Sequence, residues 1–173
     1  MIEGFDCPVE IKLQILPLFQ HMHHDAQTAG MVRELCLRFL PSYPAYSLVV
    51  ITLHTLTKLA AATLVEIPEQ VQLLITYLRT DPRRMVKIKV LKDLQFLALQ
   101  GPHIWSEDNI QEVLDFALNT SYPVIQTGSV SVLSCLIKGG AATKFDLSEE
   151  SDTVKLCIQC SYSSNISLAV ISS

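Results

Sequence analysis

Aromatic residues are scarce in this sequence, at 7% of 173 residues, and glycine occurs only six times. Apolar residues nevertheless make up 49% of the chain, so its core must consist mainly of leucine, valine, isoleucine and alanine. No run of alternating apolar and polar residues indicates a β-strand. The composition therefore favours an all-α protein, and the length suits one domain or about four helix pairs of 40 to 47 residues.

Sequence motifs of catalysis are also lacking. The chain has no glycine-rich phosphate loop, no Gly-x-Ser-x-Gly elbow and no carboxylate pair placed on an obvious cleft. Cys36 and His54 lie in apolar helical segments, and no third group is identifiable that would orient a Cys–His nucleophile. We therefore expect neither an enzyme nor a small-molecule substrate.

Charge and cysteine content restrict the surroundings of the protein. The net charge is −4 and the calculated pI is 5.7, which gives no general attraction to nucleic acids or acidic membranes. The odd number of cysteines, spread through apolar segments, indicates a reducing compartment, either cytosol or nucleus. The N-terminal residues lack a basic region and an apolar region of the kind found in signal peptides, so secretion is not expected.

One uncharged stretch deserves comparison with a membrane span. Between Arg38 and Lys58 the sequence has 19 residues without a formal charge, but they include Pro41, Pro44 and His54. A helix buried between neighbouring helices explains the same composition. We expect no membrane association.

Prolines recur at an even interval and indicate an internal repeat. They occur at Pro8, Pro44, Pro82 and Pro123, at successive distances of 36, 38 and 41 residues, and a fifth turn is expected near residues 163–165. Each proline follows one helical segment and opens another, as suits a residue that lacks an N–H and is preset for the first helical turn. The periodicity predicts about nine helices, at 8–23, 26–40, 45–63, 68–79, 82–100, 107–119, 123–138, 151–161 and 165–173.

Two of these segments show clear apolar stripes. In 68–79, where Pro68 takes the first helical position, the stripe is Val71, Leu74, Ile75 and Leu78, while Glu69, Gln70, Gln72 and Arg79 are predicted to face elsewhere. In 107–119 the stripe is Ile110, Val113, Leu114 and Ala117. Ser106 is the predicted N-cap of the second segment, and Gly101 and Gly139 are predicted C-caps of the helices before them.

The segment from Asp81 to Leu94 carries the most specific local pattern. Asp81-Pro82, three residues, then Val86-Lys87 and a run of aliphatic positions resembles the second helix of HEAT repeats. At helical spacing one face collects Val86, Val90, Leu91, Leu94, Leu97 and Ala98. Asp81 is predicted to cap this helix, and the resemblance implies that a basic residue at the Lys87 position pairs with turn aspartates.

Four longer blocks carry a closer resemblance. They are residues 16–25 (LPLFQHMHHD), 49–57 (VVITLHTLT), 71–83 (VQLLITYLRTDPR) and 102–111 (PHIWSEDNIQ). Together they resemble the N-terminal helical-repeat region of the Integrator complex subunit 7 family, in order, over about residues 7 to 137. The likeness weakens from Gly139 onward.

The resemblance implies a non-catalytic architectural subunit of the nuclear Integrator complex. That assembly binds RNA polymerase II, processes small nuclear RNA 3′ ends, attenuates transcription and carries a protein phosphatase. The implied partners are other Integrator subunits directly and the polymerase assembly indirectly. The implied location is the nucleus.

Two groups of side chains invite comparison with metal sites. His21, His23 and His24 precede Asp25, but neighbouring residues on a helix diverge by about 100°, so only His21 and His24 share a face. We interpret the histidines as complementing a helix C-terminus and Asp25 as an N-cap. Cys157 and Cys160 lie one turn apart without a second ligand pair, and we interpret them as buried free thiols. No metal or cofactor is predicted, and one equivalent of tightly bound zinc would instead favour a hydrolase.

Basic residues concentrate around one turn. Six of the 13 lie within 14 positions, and we call five of them the basic patch: Arg79, Arg83, Arg84, Lys89 and Lys92; the sixth is Lys87, already part of the repeat pattern. A solvated surface explains such a run, and the alternatives are an acidic partner segment or a nucleic-acid backbone docked there. Interleaved aromatics are absent, which argues against stacking on single-stranded nucleic acid, so direct nucleic-acid binding is not expected.

The sequence thus predicts an α-solenoid of HEAT or armadillo-type helix pairs with a right-handed superhelix. We expect residues 1–173 to form one segment of a longer array, because the apolar pattern shows no polar capping repeat at either end. The alternative is a HEAT-repeat adaptor of another assembly, such as a transport receptor or a phosphatase scaffold.

Overall fold

A computed structural model of the chain describes residues 26–42, 45–145 and 152–161. Seven α-helices account for most of these residues, and the described ranges contain no strand. The helices are α1 Ala26–Ser42, α2 Tyr46–Thr63, α3 Ile67–Thr80, α4 Arg84–Gln100, α5 Glu107–Asn119, α6 Pro123–Lys138 and α7 Asp152–Ser161. Two short 3₁₀ helices, η1 Pro102–Ile104 and η2 Ala141–Lys144, follow α4 and α6.

The predicted helix boundaries agree with the observed ones to within two residues for all seven helices. The predicted helices 8–23 and 165–173 lie outside the described residues, as do Pro8, Pro44, the turn at 163–165 and the histidines at 21, 23 and 24. In the part of the chain that the structure describes, no helix combines the length and the hydropathy that crossing a bilayer requires.

The chain divides into two compact units, Met1–Glu66 and Ile67–Ser173. In the first unit α1 packs against α2. The buried side of α1 consists of Val32, Cys36, Phe39 and Leu40, at the i, i+4, i+7, i+8 spacing of one helical face. Arg33 and Glu66 form an ion pair at 3.2 Å.

Helix α2 buries three threonines among its leucines, and two of them satisfy their hydroxyl groups locally. Thr55 and Thr57 donate hydrogen bonds to the carbonyl oxygens four residues earlier, each at 2.8 Å. A buried hydroxyl without a partner is costly, so these bonds explain how the helix can hold Thr55 and Thr57 in its core. The helix ends at Thr63, and its C-cap residue, Leu64, has φ 63°.

In the second unit, two helix pairs stack in the same order. Helix α3 packs on α4 and α5 on α6; α4 also packs on α6, α3 on α5, and α7 on α5. The predicted stripes of α3, α4 and α5 are all buried, as helix-on-helix packing requires. Helices α3 and α5 therefore form one layer, which we call the outer layer. Helices α4 and α6 form a second layer beside it, which we call the inner layer.

Helix ends in this unit follow the predicted chemistry. Ser106 caps α5 by accepting a hydrogen bond from the Asn109 N–H at 3.1 Å. Pro123 is the first residue of α6, and Gly101 and Gly139 are the C-caps of α4 and α6. Three predictions about helix starts were wrong. Pro68 is the second residue of α3, and Pro82 precedes α4 by two residues. The N-cap of α4 is Arg83 and not Asp81, whose carboxylate instead accepts hydrogen bonds from Arg83.

A cross-connection between η1 and η2 was not predicted from the sequence. The Lys144 ammonium group donates to the carbonyl oxygens of His103 at 2.8 Å and Trp105 at 2.5 Å. Trp105 itself is fully buried. The lysine therefore joins the segment after α6 to the segment after α4, and it satisfies carbonyl groups that the short 3₁₀ helix leaves without backbone partners.

Two predictions about side-chain placement were wrong. Gln70 is 1% exposed, although its polarity suggested a solvent position, because it lies beside Val71 and one turn before Leu74 on the face of α3 that packs inward. Cys157 is exposed and is not a buried thiol. In α7 the buried residues are Thr153 and Leu156, and the next residue is rotated by about 100° from that face.

Candidate protein-interaction surface

The turn between α3 and α4 is closed by Asp81 and Arg83. One oxygen of the Asp81 carboxylate accepts the Arg83 backbone N–H and the Arg83 Nε–H, both at 3.0 Å, and the other accepts Nη2 at 2.7 Å. The guanidinium hydrogen bonds hold the pKa of Asp81 below its ordinary value. Because Asp81 is almost completely buried, this fork both satisfies its charge and fixes the chain entering α4.

Lys87 has a structural contact that differs from the expected pairing with a turn aspartate. Its ammonium group donates to the Leu78 carbonyl oxygen in the last turn of α3. It also lies 5.8 Å from the centroid of the Phe116 ring in α5. One side chain of α4 thus contacts both helices of the outer layer, by a charge-assisted hydrogen bond and a cation–π contact.

Arg79 lies on the outer layer, at the end of α3. It forms ion pairs with Glu112 at 3.5 Å and Asp115 at 3.4 Å on α5. These residues line an open depression of about 430 Å³, together with Asp108 and Gln111. The depression is predominantly acidic, and Arg79 neutralises part of it.

Three basic-patch residues remain after these pairings: Arg84, Lys89 and Lys92, all on α4. Among the described residues none of the three forms an ion pair. The structure therefore does not bring the five predicted patch residues together. Arg79 is paired with carboxylates of α5, and Arg83 forms an ion pair with Asp81 in the turn. The other three residues lie along α4.

The exposed side of α4 combines these cations with large apolar side chains. Met85 is 52% exposed and Leu99 is 65% exposed, and Lys89 and Lys92 lie between them along the helix. Positions 85, 89, 92, 96 and 99 share one face at helical spacing. Sequence reasoning identified the lysines of this face but not its apolar members.

The remaining candidate side chains do not form a catalytic or metal-binding arrangement within the described ranges. Cys36 is fully buried, and burial raises the pKa of its thiol to about 11. His54 is half-buried in the middle of α2, Cys157 is exposed on α7, and the side chain of Cys160 lies outside what the structure describes. Residues 26–42, 45–145 and 152–161 contain no group of three or more potential metal ligands.

Comparison with known proteins gives a consistent result. The family described as Integrator complex subunit 7, N-terminal, matches residues 1–173. The chain is 44% identical to Integrator complex subunit 7 of Danio rerio and 43% identical to that of Homo sapiens, in each case over 98% of this chain and 18% of the relative. It is 39% identical to the Drosophila melanogaster protein, over 92% of this chain and 16% of the relative.

The chain thus spans less than a fifth of the length of the curated relatives that it matches. The aligned region covers nearly all of the chain, well beyond the four blocks that carry the resemblance in the sequence. The protein is an all-helical chain in its described part, and it belongs to the Integrator complex subunit 7 family, in which it corresponds to the N-terminal region.

Proposed function

We propose that this chain is a non-catalytic scaffold segment of the nuclear Integrator complex, which acts with RNA polymerase II in small nuclear RNA 3′-end processing and transcription attenuation. The observation that carries the proposal is the match to the Integrator complex subunit 7 family along the whole chain. Its direct partners are other Integrator subunits, and the polymerase assembly is reached through them.

The packing of the second unit supports a scaffold role. Two helix pairs stack in the same order, which is the packing that builds α-solenoids when it continues along a chain. We propose that residues 1–173 form one segment of such an array, of the HEAT or armadillo type with a right-handed superhelix. The much greater length of the relatives supports a longer array. Solenoids bind partners along extended surfaces, which suits an architectural subunit.

Affinity purification tests the proposal. The full-length protein, tagged and expressed in cells, is recovered from nuclear extract, and cross-linking followed by mass spectrometry locates contacts on residues 1–173. We expect other Integrator subunits among the cross-linked partners. An untagged lysate and an unrelated HEAT-repeat protein with the same tag serve as controls.

Two outcomes contradict the proposal. Recovery of transport or unrelated phosphatase partners without Integrator subunits supports a HEAT-repeat adaptor of another assembly. Recovery of Integrator subunits with all cross-links outside residues 1–173 removes the scaffold role from this segment.

A further inference from the structure

The second unit carries its charges in two separate layers. The outer helices α3 and α5 hold five carboxylates and one cation, a formal charge of −4; the residues are Glu69, Arg79, Glu107, Asp108, Glu112 and Asp115. The inner helices α4 and α6 hold five cations and one carboxylate, a formal charge of +4. That single carboxylate, Asp93, is 6% exposed. The solvent side of α4 and α6, both fully within the described residues, therefore presents no exposed carboxylate.

We define the inner surface as exposed Met85, Lys92 and Leu99 and half-buried Lys89 of α4, with exposed Val124 and Lys138 of α6. Lys87 is excluded because its ammonium group is bound to a carbonyl oxygen of α3. Lys89 and Lys92 lie on the same face as Met85 and Leu99, so two cations lie between large apolar side chains along α4. Val124 is 48% exposed at the start of α6, and Lys138 lies exposed at its end.

The two helices are close enough to form one continuous surface. A Cβ at Gly128 of α6 would lie 2.8 Å from Leu91 Cδ1 of α4, so the glycine allows the leucine to pack directly on the α6 backbone. Along the exposed side of α6 the side chains are short, with Thr127, Ser131 and Ser134 half-buried. The larger residues of α4 therefore border a shallow strip on α6.

We propose that the inner surface binds an acidic amphipathic helix of a partner protein, with apolar residues on Met85, Leu99 and Val124 and carboxylates on Lys89, Lys92 and Lys138. This inference deepens the proposed function and rests on it, since it assigns a partner class to one face of the scaffold. Charge complementarity favours an acidic partner. The chain has a net charge of −4, yet no exposed carboxylate lies on the solvent side of α4 and α6.

A nucleic-acid backbone fits the same surface less well. A phosphate backbone would pair with the lysines but leave Met85, Leu99 and Val124 in water. These side chains are 48 to 65% exposed, and Met85 and Leu99 lie on either side of Lys89 and Lys92, so only an apolar partner gains from covering them. An amphipathic helix presents apolar and acidic residues at the same spacing as α4 itself.

Site-specific photo-cross-linking tests the proposal in the full-length protein. A photoreactive amino acid replaces Leu99, the cross-linked adduct is isolated from nuclear extract, and the attached segment is sequenced. The same amino acid at Thr76, which is exposed on the outer layer, is the positional control. Lys92→Glu and Lys155→Glu make the same charge change on α4 and on α7, so the second variant is the charge control.

The expected adduct is a protein segment rich in Asp and Glu with apolar residues at i, i+3, i+4 and i+7. We expect Lys92→Glu to lower its yield about tenfold and Lys155→Glu to leave it unchanged, because only the first change sets like charges against each other. Circular dichroism melts check that both variants remain folded. An adduct at Leu99 with RNA, with a second copy of the chain, or with a neutral or basic segment overturns the proposal, as does an equal yield from both variants or no adduct.

The two proposals fail separately. Recovery of Integrator subunits without an acidic adduct at Leu99 overturns this inference alone. An acidic adduct from a protein outside the Integrator complex supports the surface assignment and overturns the proposed function.

Discussion

Replacing Gly139 with alanine should destabilise the second unit through a steric clash. Residue 139 has φ −79° and ψ 1°, a backbone that any amino acid adopts, so conformational freedom does not require glycine there. An added Cβ would lie 2.4 Å from Pro102 Cγ and 2.7 Å from Pro102 Cβ. Carbon atoms prefer separations of about 3.5 to 4.0 Å, so the buried ring would have to move by about 1 Å. Such overpacking typically costs about 1 to 3 kcal/mol.

Urea unfolding followed by circular dichroism measures this cost. Gly140→Ala is the neighbouring control, since nothing lies within 4 Å of its Cβ and its φ is +98°; it should lose only the backbone term of about 1 to 2 kcal/mol. Pro102→Ala in the Gly139→Ala background should restore part of the loss, giving a coupling of about 1 kcal/mol in a double-mutant cycle. A Gly139→Ala protein within about 0.5 kcal/mol of the parent, or a cycle without coupling, refutes the reasoning.

Three further predictions concern single side chains. Lys87→Met should lower the unfolding free energy by about 1.5 to 3 kcal/mol, because it leaves the Leu78 carbonyl oxygen without its charged donor. In the same urea titration the control Lys89→Met should change it by less than about 0.5 kcal/mol. Asp81→Ala should cost about 1 kcal/mol at neutral pH, because it removes the carboxylate that accepts the Arg83 hydrogen bonds. The Asp81 pKa is lowered in the folded state, so this difference should be complete above the ordinary value of about 3.9 and shrink as pH falls below it; a difference unchanged at pH 2 contradicts the assignment. At pH 8 a maleimide should label exposed Cys157 in the native protein but Cys36, whose pKa is raised to about 11, only after denaturation, and mass spectrometry would show equal labelling if this is wrong.

Helices α3 to α6 could be predicted from the sequence because each has a local start signal, a stop signal or an apolar stripe. Ser106 and Pro123 mark the beginnings of α5 and α6 within their own segments, and the buried stripes repeat at the helical period. Gln70 shows the limit of this reasoning. Its polarity predicts a solvent position, but the neighbouring helices close over that side of α3, and the sequence of α3 alone does not record where they lie.

The candidate surface could be predicted from the sequence only in part. Their closeness in sequence grouped Arg79 with Lys92, but a turn separates them and they lie in different helix layers. Arg79 instead forms ion pairs with Glu112 and Asp115 of α5. The apolar members of the inner surface, Met85 and Leu99, occur at the helical spacing of the lysines and could have been found by tracing that face of α4. The Lys144 contact with η1 joins residues 41 and 39 positions apart, and no local pattern indicates such a bond.

The separation of charge between the two layers also gives the second unit a direction in an electric field. With −4 on one pair of helices and +4 on the pair behind it, the unit behaves as a transverse electric dipole even though these charges sum to zero. An approaching anionic molecule would rotate the second unit so that α4 and α6 face it before any contact forms. This electrostatic torque weakens beyond about 8 Å at physiological ionic strength. The order of the helices therefore sets the orientation of the first encounter.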